Sequence, residues 1–196
     1  MTIIGAVSGD YTSLPDGLPV PIDDGAADGL VGKSLPDLAL PSTVAAPSVT
    51  AEYRLAEAPP LLVAYVYPMT GTPGVALPHG WDDIPGARGC TPQACSYRDT
   101  LAGFERLGAA VVGISAQTAA EQAEFATREH IPFPLLSDPD LRLAAALALP
   151  TFEVEGRTLY RRLTFVAEHA QIVKTFYPVF PPDRDATTVL AWLGAR

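Results

Sequence analysis

Residues 61–67 read LLVAYVY, a run of apolar and aromatic side chains with no polar position left to face water. A strand turns successive side chains to opposite faces, so such a run needs cover on both sides. It belongs at the centre of a sheet that is sandwiched between other layers. Residues 109–115, AAVVGIS, make the same demand. Thr91–Leu107 lies between the two runs and reads as a helix that Gly108 can close.

Thr118 and Glu121 form a capping-box pattern that opens a second helix, ending near Glu129. Further signals predict strands at Ala51–Leu55 and Phe133–Leu136 and a short helix at Pro139–Leu147. Strands at about Thr158–Val166 and Ile172–Tyr177 flank the EHAQ turn as a hairpin, and a terminal helix covers about Asp183–Leu193. Strand–helix–strand–helix followed by hairpin–helix argues for an α/β sandwich around a mixed sheet. Residues 1–30 alternate turn formers (Gly9-Asp10, Pro15-Asp16-Gly17, Asp23-Asp24-Gly25) with short apolar pieces. They read as an irregular N-terminal arm before a domain at 31–196. The length of 196 residues and 48% hydrophobic content suit one domain with a real core.

The chain is acidic, with a net charge of −9 and no lysine/arginine cluster, which argues against nucleic acid or an anionic membrane as partner. The N-terminus has neither the basic nor the apolar region of a signal peptide, and no apolar run could span a bilayer. A cytoplasmic location is expected. The three histidines, His79, His130 and His169, are scattered, so no metal site is expected. Gly32-Lys33-Ser34 resembles the end of a phosphate-binding loop. However, the earlier glycine is Ala27, and Leu35-Pro36 stands where a helix should begin.

The only cysteines are Cys90 and Cys95, in GCTPQACSYRD at the start of the first helix. In a reducing compartment such a pair points to catalysis, redox cycling or metal binding before it points to a structural disulfide. A first-turn thiol meets unpaired N–H groups and the positive end of the helix dipole, and Pro92 is tolerated there. An ordinary thiol is only a few per cent ionised at neutral pH. Bringing one to a pKa of about 6 takes roughly 3.4 kcal/mol, whereas a helix end offers about 0.3–2 kcal/mol. A nearby cation is therefore required. Arginine suits, because it stays charged and its fork can hold two oxygens. Arg88 and Arg162 are the candidates.

The spacing adds a constraint. Residues i and i+5 of an intact helix have Cα atoms roughly 8–9 Å apart, whereas a disulfide needs less than about 7 Å. Cys90 and Cys95 can bond only after the first turn opens, as suits a pair that cycles.

Several pieces occur together in a telling order: Tyr67-Pro68, Thr72-Pro73-Gly74, Cys90-Thr91, Ala94-Cys95, Tyr97-Arg98-Asp99, Gly113-Ile114-Ser115, the FPLLSD run ending at Asp138, and Arg162 to Phe165. In these the chain resembles the peroxiredoxin family, most of all its bacterioferritin-comigratory (Q-type) branch, over roughly residues 30–193. The resemblance implies a thioredoxin-like three-layer α/β sandwich with a mixed central sheet. It also implies a thiol-dependent peroxidase of the atypical two-cysteine kind, with neither cofactor nor metal. Cys90 would attack the peroxide, Cys95 would resolve the sulfenic acid as an internal disulfide, and Arg162 would stabilise the thiolate and orient the peroxide. Thioredoxin or a similar dithiol protein would restore the pair, and a monomer or weak dimer is expected. Alternatives are a disulfide oxidoreductase on the same fold, against which the missing CxxC counts, and a redox-sensing or copper-binding module.

The chain departs from the family pattern at one place. Three residues before the peroxidatic cysteine the family has Thr or Ser, and here the residue is Ala87. The segment VALPHGWDDIPGARG, residues 75–89, separates Thr72-Pro73-Gly74 from Cys90. If it loops out, Thr70 or Thr72 can return to the thiol, and the segment can shape or cover the pocket.

Overall fold

The computed structural model describes residues 11, 13–43 and 51–196. The Gly9-Asp10 turn expected in the arm lies outside the described residues. In chain order the elements are β1 (Ala39–Ser42), β2 (Ala51–Arg54), β3 (Leu61–Val66), α1 (Cys90–Arg106), β4 (Ala110–Ser115), α2 (Ala119–Arg128) and β5 (Leu135–Ser137). Then follow α3 (Arg142–Leu147), β6 (Thr151–Val154), β7 (Arg157–Tyr160), β8 (Leu163–Glu168), β9 (Gln171–Phe176) and α4 (Asp185–Gly194).

Seven strands form one mixed sheet in the order β2-β1-β5-β4-β3-β8-β9. β3 is parallel to β4 and antiparallel to β8, so the apolar run is central, as its composition requires. Its side chains divide by parity. Leu62, Ala64 and Val66 join a core with Leu143 and Leu147 of α3, while Val63, Tyr65 and Tyr67 join one with Tyr97 and Phe104 of α1, Phe125 of α2 and Val189 of α4. Each such large apolar side chain contributes about 1.5–3 kcal/mol when buried. The result is a thioredoxin-like three-layer sandwich. The capping box is present: the Glu121 amide donates to Thr118 Oγ1 at 3.3 Å, and the Thr118 amide donates to the Glu121 carboxylate at 2.7 Å.

One expectation needs correction. Thr158–Val166 is not one strand of one hairpin. β6 and β7 form a separate two-stranded sheet, and the chain breaks at Arg161-Arg162 before β8 enters the main sheet. Glu155 and Gly156 both take positive φ (46° and 73°), a tight two-residue turn that matches the twist of the strands it joins. Ala27, within the arm, is buried in the same cluster as Leu30 and the α3 leucines.

Candidate active site

Cys90 is the first residue of α1 and is 4% exposed. Gly89 before it has φ 100°, a left-handed conformation that costs glycine little. A Cβ on Gly89 would lie 2.4 Å from Pro182 Cγ and 2.6 Å from Leu14 Cδ2, so the arm and the C-terminal segment both close tightly on the helix start. The thiol donates to the Ala87 carbonyl at 3.7 Å.

Arg162 supplies the cation. Leu163 pairs with Val66 at the end of β3, and this register brings the preceding residue to the loop beneath α1. Arg162 is 3% exposed, and its Nη2 stands 3.1 Å from Cys90 Sγ. The same nitrogen donates to the carbonyls of Ala87 (3.0 Å) and Arg88 (3.1 Å), and Nε donates to Gly86 (3.2 Å). Nη1 donates to Gln93 Oε1. The last turn of segment 75–89 thus wraps the guanidinium with three carbonyls, which fix its direction toward sulfur. Gln93 is fixed in turn, since its Nε2 donates to Asp185 Oδ2 at 2.7 Å. Tyr97 Oη (2.9 Å) and Thr164 Oγ1 (2.7 Å) donate to the same oxygen. Burial pushes the Asp185 carboxyl up from its ordinary value, and the donors from Thr164, Gln93 and Tyr97 oppose that rise.

Cys95 sits in a different setting. It is half-buried, and its thiol donates to Glu129 Oε2 at 3.8 Å. Burial raises the thiol pKa first; Arg98 opposes this, while Glu129 and Asp99 add to it. Both cysteines are free, and α1 is continuous across them. Arg98 bonds Asp99 at 2.8 Å and the Glu129 carbonyl at 2.6 Å, tying α1 to the end of α2.

Arg88 lies elsewhere than at the sulfur's hydrogen bonds: it pairs with Asp82 at 3.2 Å and stacks over the Tyr11 ring at 5.7 Å. Thr70 is buried, and its hydroxyl donates to Gln117 Oε1 at 3.0 Å. Thr72 is exposed, its carbonyl accepting from the Val75 amide at 3.0 Å. Among the described residues neither hydroxyl is hydrogen-bonded to Cys90. The flanking Met69 and Gly71 line the cavity over the sulfur, together with Tyr11, Leu77 and Trp81. The sequence therefore brings Cys90 and Arg162 together. It left Gln93, Asp185 and Tyr11 unmarked, although Gln93 stands three residues after Cys90 on one helix face.

Among the described residues no group of three or more His, Cys, Asp or Glu could hold a metal ion. No helix there is long and apolar enough to cross a membrane.

The Redoxin family matches residues 30–190. A putative peroxiredoxin of Mycobacterium tuberculosis (strain H37Rv) is 36% identical over 122 residues, covering 60% of this chain and 68% of that protein. Chloroplastic peroxiredoxin Q of Oryza sativa subsp. japonica is 34% identical over 124 residues, covering 63% of this chain; the match spans only 49% of the rice protein's length. Among solved structures, peroxidoxin BcpB of Mycobacterium tuberculosis superposes with a TM-score of 0.64 at 28% identity, over 84% of this chain and 96% of that one. Xanthomonas campestris peroxiredoxin Q gives 0.61 at 26% identity, over 92% and 97%.

Proposed function

We propose a function on the premise that the chain belongs to the redoxin family, and within it to the peroxiredoxin Q type. It is a thiol-dependent peroxidase, and the observation that carries this reading is the Arg162 guanidinium 3.1 Å from the Cys90 sulfur at a helix start. The Cys90 thiolate attacks the nearer oxygen of a hydroperoxide. An S–O bond forms and the O–O bond breaks. The leaving alkoxide or hydroxide takes a proton, so the peroxide is reduced by two electrons to an alcohol or water, and sulfur is oxidised to sulfenic acid. Arg162 supports this step twice, stabilising the thiolate before attack and offering N–H donors to the peroxide oxygens as charge develops.

Cys95 then attacks the sulfenic sulfur; an S–S bond forms and water leaves. The intact helix holds the two sulfurs apart, so the first turn of α1 opens for this step. Opening breaks the Gln93 N–H to Gly89 carbonyl bond (3.0 Å) and frees Arg162 from the Cys90 sulfur. Thioredoxin or a similar dithiol protein returns both thiols and is itself oxidised to a disulfide. The substrates are hydrogen peroxide and organic hydroperoxides. The latter are included because the bacterioferritin comigratory protein of Xanthomonas campestris has an alkyl peroxide reduction activity. A hydroxyl from Thr70 or Thr72 reaches the site only if the segment before residue 75 moves. Thr→Val at each position, read by the rate of peroxide reduction, tests that role.

The reduced protein, mixed with one equivalent of hydrogen peroxide, tests the whole reading. The expected result is rapid loss of both thiols and a product lighter by two hydrogens. Cys90→Ser abolishes the reaction, and Cys95→Ser stops at a sulfenic acid on Cys90. Consumption no faster than by free cysteine refutes it.

A further inference from the structure

The cavity over Cys90 is lined in part by residues that lie outside the family's usual active-site pattern. Tyr11 precedes the residues matched by the family, and Leu77 and Trp81 belong to segment 75–89, which separates Thr72-Pro73-Gly74 from the cysteine. What remains between them leaves about 10 Å³ for the centre of a water molecule, close to the minimum that one water needs.

The walls are held in place. The Tyr11 hydroxyl donates to the Val75 carbonyl at 2.8 Å. The Tyr11 ring lies against Gly71 so closely that a Cβ there would come within 2.6 Å of it, so the glycine makes the seat for the ring. The Arg88 guanidinium covers the ring at 5.7 Å and is itself tied to Asp82 at 3.2 Å. Trp81 is 3% exposed and packs with Ala87, Val154 and Leu159, against Phe152 and Leu77. The His79 amide donates to Glu155 Oε1 at 3.0 Å, which pins the segment to the β6–β7 turn. A wall tied at each of these points does not simply lean back to admit a large guest.

We propose that Tyr11, Leu77 and Trp81 are specificity-determining residues that narrow the approach to Cys90, so that it accepts a hydroperoxide as small as hydrogen peroxide and rejects one carrying a bulky organic group. The proposal rests on the peroxidase reading and sets a limit on its substrates. Cumene hydroperoxide, with a phenyl ring and two methyl groups beside the reacting oxygens, needs far more room than the cavity between these side chains leaves.

The experiment measures size selection in two ways. In the reduced Cys95→Ser protein, Cys90 is labelled with iodoacetamide and with N-phenylmaleimide, each rate being divided by that of glutathione and the labelled site confirmed by mass. The chain with both cysteines is then assayed for kcat/KM with hydrogen peroxide and with cumene hydroperoxide. The expected result is discrimination of about tenfold or more against the phenyl reagent, falling to within about threefold in Tyr11→Ala and in Trp81→Ala. In the same variants the cumene-to-hydrogen-peroxide ratio of kcat/KM rises by about tenfold. Equal access for both reagents in the unmodified cavity overturns the proposal, as does discrimination that survives both truncations. Should Trp81→Ala lose its cooperative melting transition, Tyr11→Ala alone decides. Labelling that discriminates by size in a protein that consumes no peroxide sinks the peroxidase reading and leaves the size limit standing.

Discussion

Cys90 and Cys95 lie five positions apart on one helix, yet Cys90 has the Arg162 guanidinium at 3.1 Å from its sulfur and Cys95 has the Glu129 carboxylate at 3.8 Å. Neither partner is near in sequence. Arg162 stands just before β8, and Glu129 caps the end of α2. The first sulfur also faces the positive end of the helix, whereas the second lies more than one turn in, where the dipole has faded. The difference teaches that tertiary structure gives two thiols of one helix unlike surroundings. One faces a guanidinium at the helix start, and the other is half-buried beside a carboxylate, where burial first and that charge second raise its pKa.

The sharpest way to break that contrast is to remove the cation. Arg162→Met keeps much of the volume but deletes the donor to sulfur and leaves the carbonyls of Gly86, Ala87 and Arg88 without their partner. A hydrogen bond to a charged group contributes about 1.5–3 kcal/mol, so peroxide reduction at neutral pH falls about 10- to 100-fold. The ultraviolet absorbance of the thiolate drops with it. A variant that keeps both rate and absorbance would show that the helix start alone ionises Cys90.

A smaller effect comes from the groups that aim Arg162. Gln93→Leu strips an acceptor from the guanidinium and a donor from Asp185, both buried. Leaving buried polar groups unpaired costs about 1–3 kcal/mol, which lowers the melting temperature by about 2–10 °C in a chain of this size. The peroxidatic rate falls about tenfold if aim matters, at about 1.4 kcal/mol per decade. A melting point that falls while the rate holds would make Gln93 purely structural.

Asp185 adds a pH signature. Burial raises its folded pKa above the unfolded value, so the carboxylate is the costly form in the folded protein. That cost is fully present above the folded pKa. It is relieved as the pH falls through the folded pKa toward the unfolded value near 3.8. Relative to Asp185→Asn, the parent protein therefore gains stability on acidification from neutrality. Melting curves of the pair at several pH values measure the gain, and a constant difference would remove Asp185 from the account.

How much of this could be read in the chain depends on whether the signal is local. LLVAYVY and AAVVGIS announced a sandwiched sheet because burial on both faces is written in every residue of each run. The capping box was legible for the same reason, since Thr118 and Glu121 satisfy each other within one turn. The β6–β7 hairpin was missed although Glu155-Gly156 offered a two-residue turn signal. Its strands are short, and the apolar stretch from Tyr160 into β8 reads as unbroken. At the site, Cys90 was marked by its motif and Arg162 by chemical need. Gln93 and Asp185 were not, because a glutamine in a helix and an aspartate at a helix start have ordinary local explanations. Only the fold, by bringing α4 beside α1, shows that they meet. Tyr11 is the extreme case: nothing within the arm says that its ring lies on Gly71 beside the Cys90 sulfur.

The least of the expected effects tests the other half of the contrast. Burial is the first cause of the raised Cys95 pKa, and Glu129 adds to it both by its charge and by accepting the thiol proton. Glu129→Gln removes the charge, keeps the shape and leaves the burial untouched. The site is half open to solvent, so the charge is partly screened and its removal lowers the thiol pKa only slightly. In reduced protein, alkylation of Cys95 at mildly alkaline pH, followed by mass, should rise about twofold, while Cys90 labels at its former rate. A change at Cys90 of the same size would mean that the two sulfurs share one electrostatic environment along the helix. An unchanged Cys95 would assign its neutrality to burial alone, with the carboxylate serving only Arg128, its 2.5 Å partner.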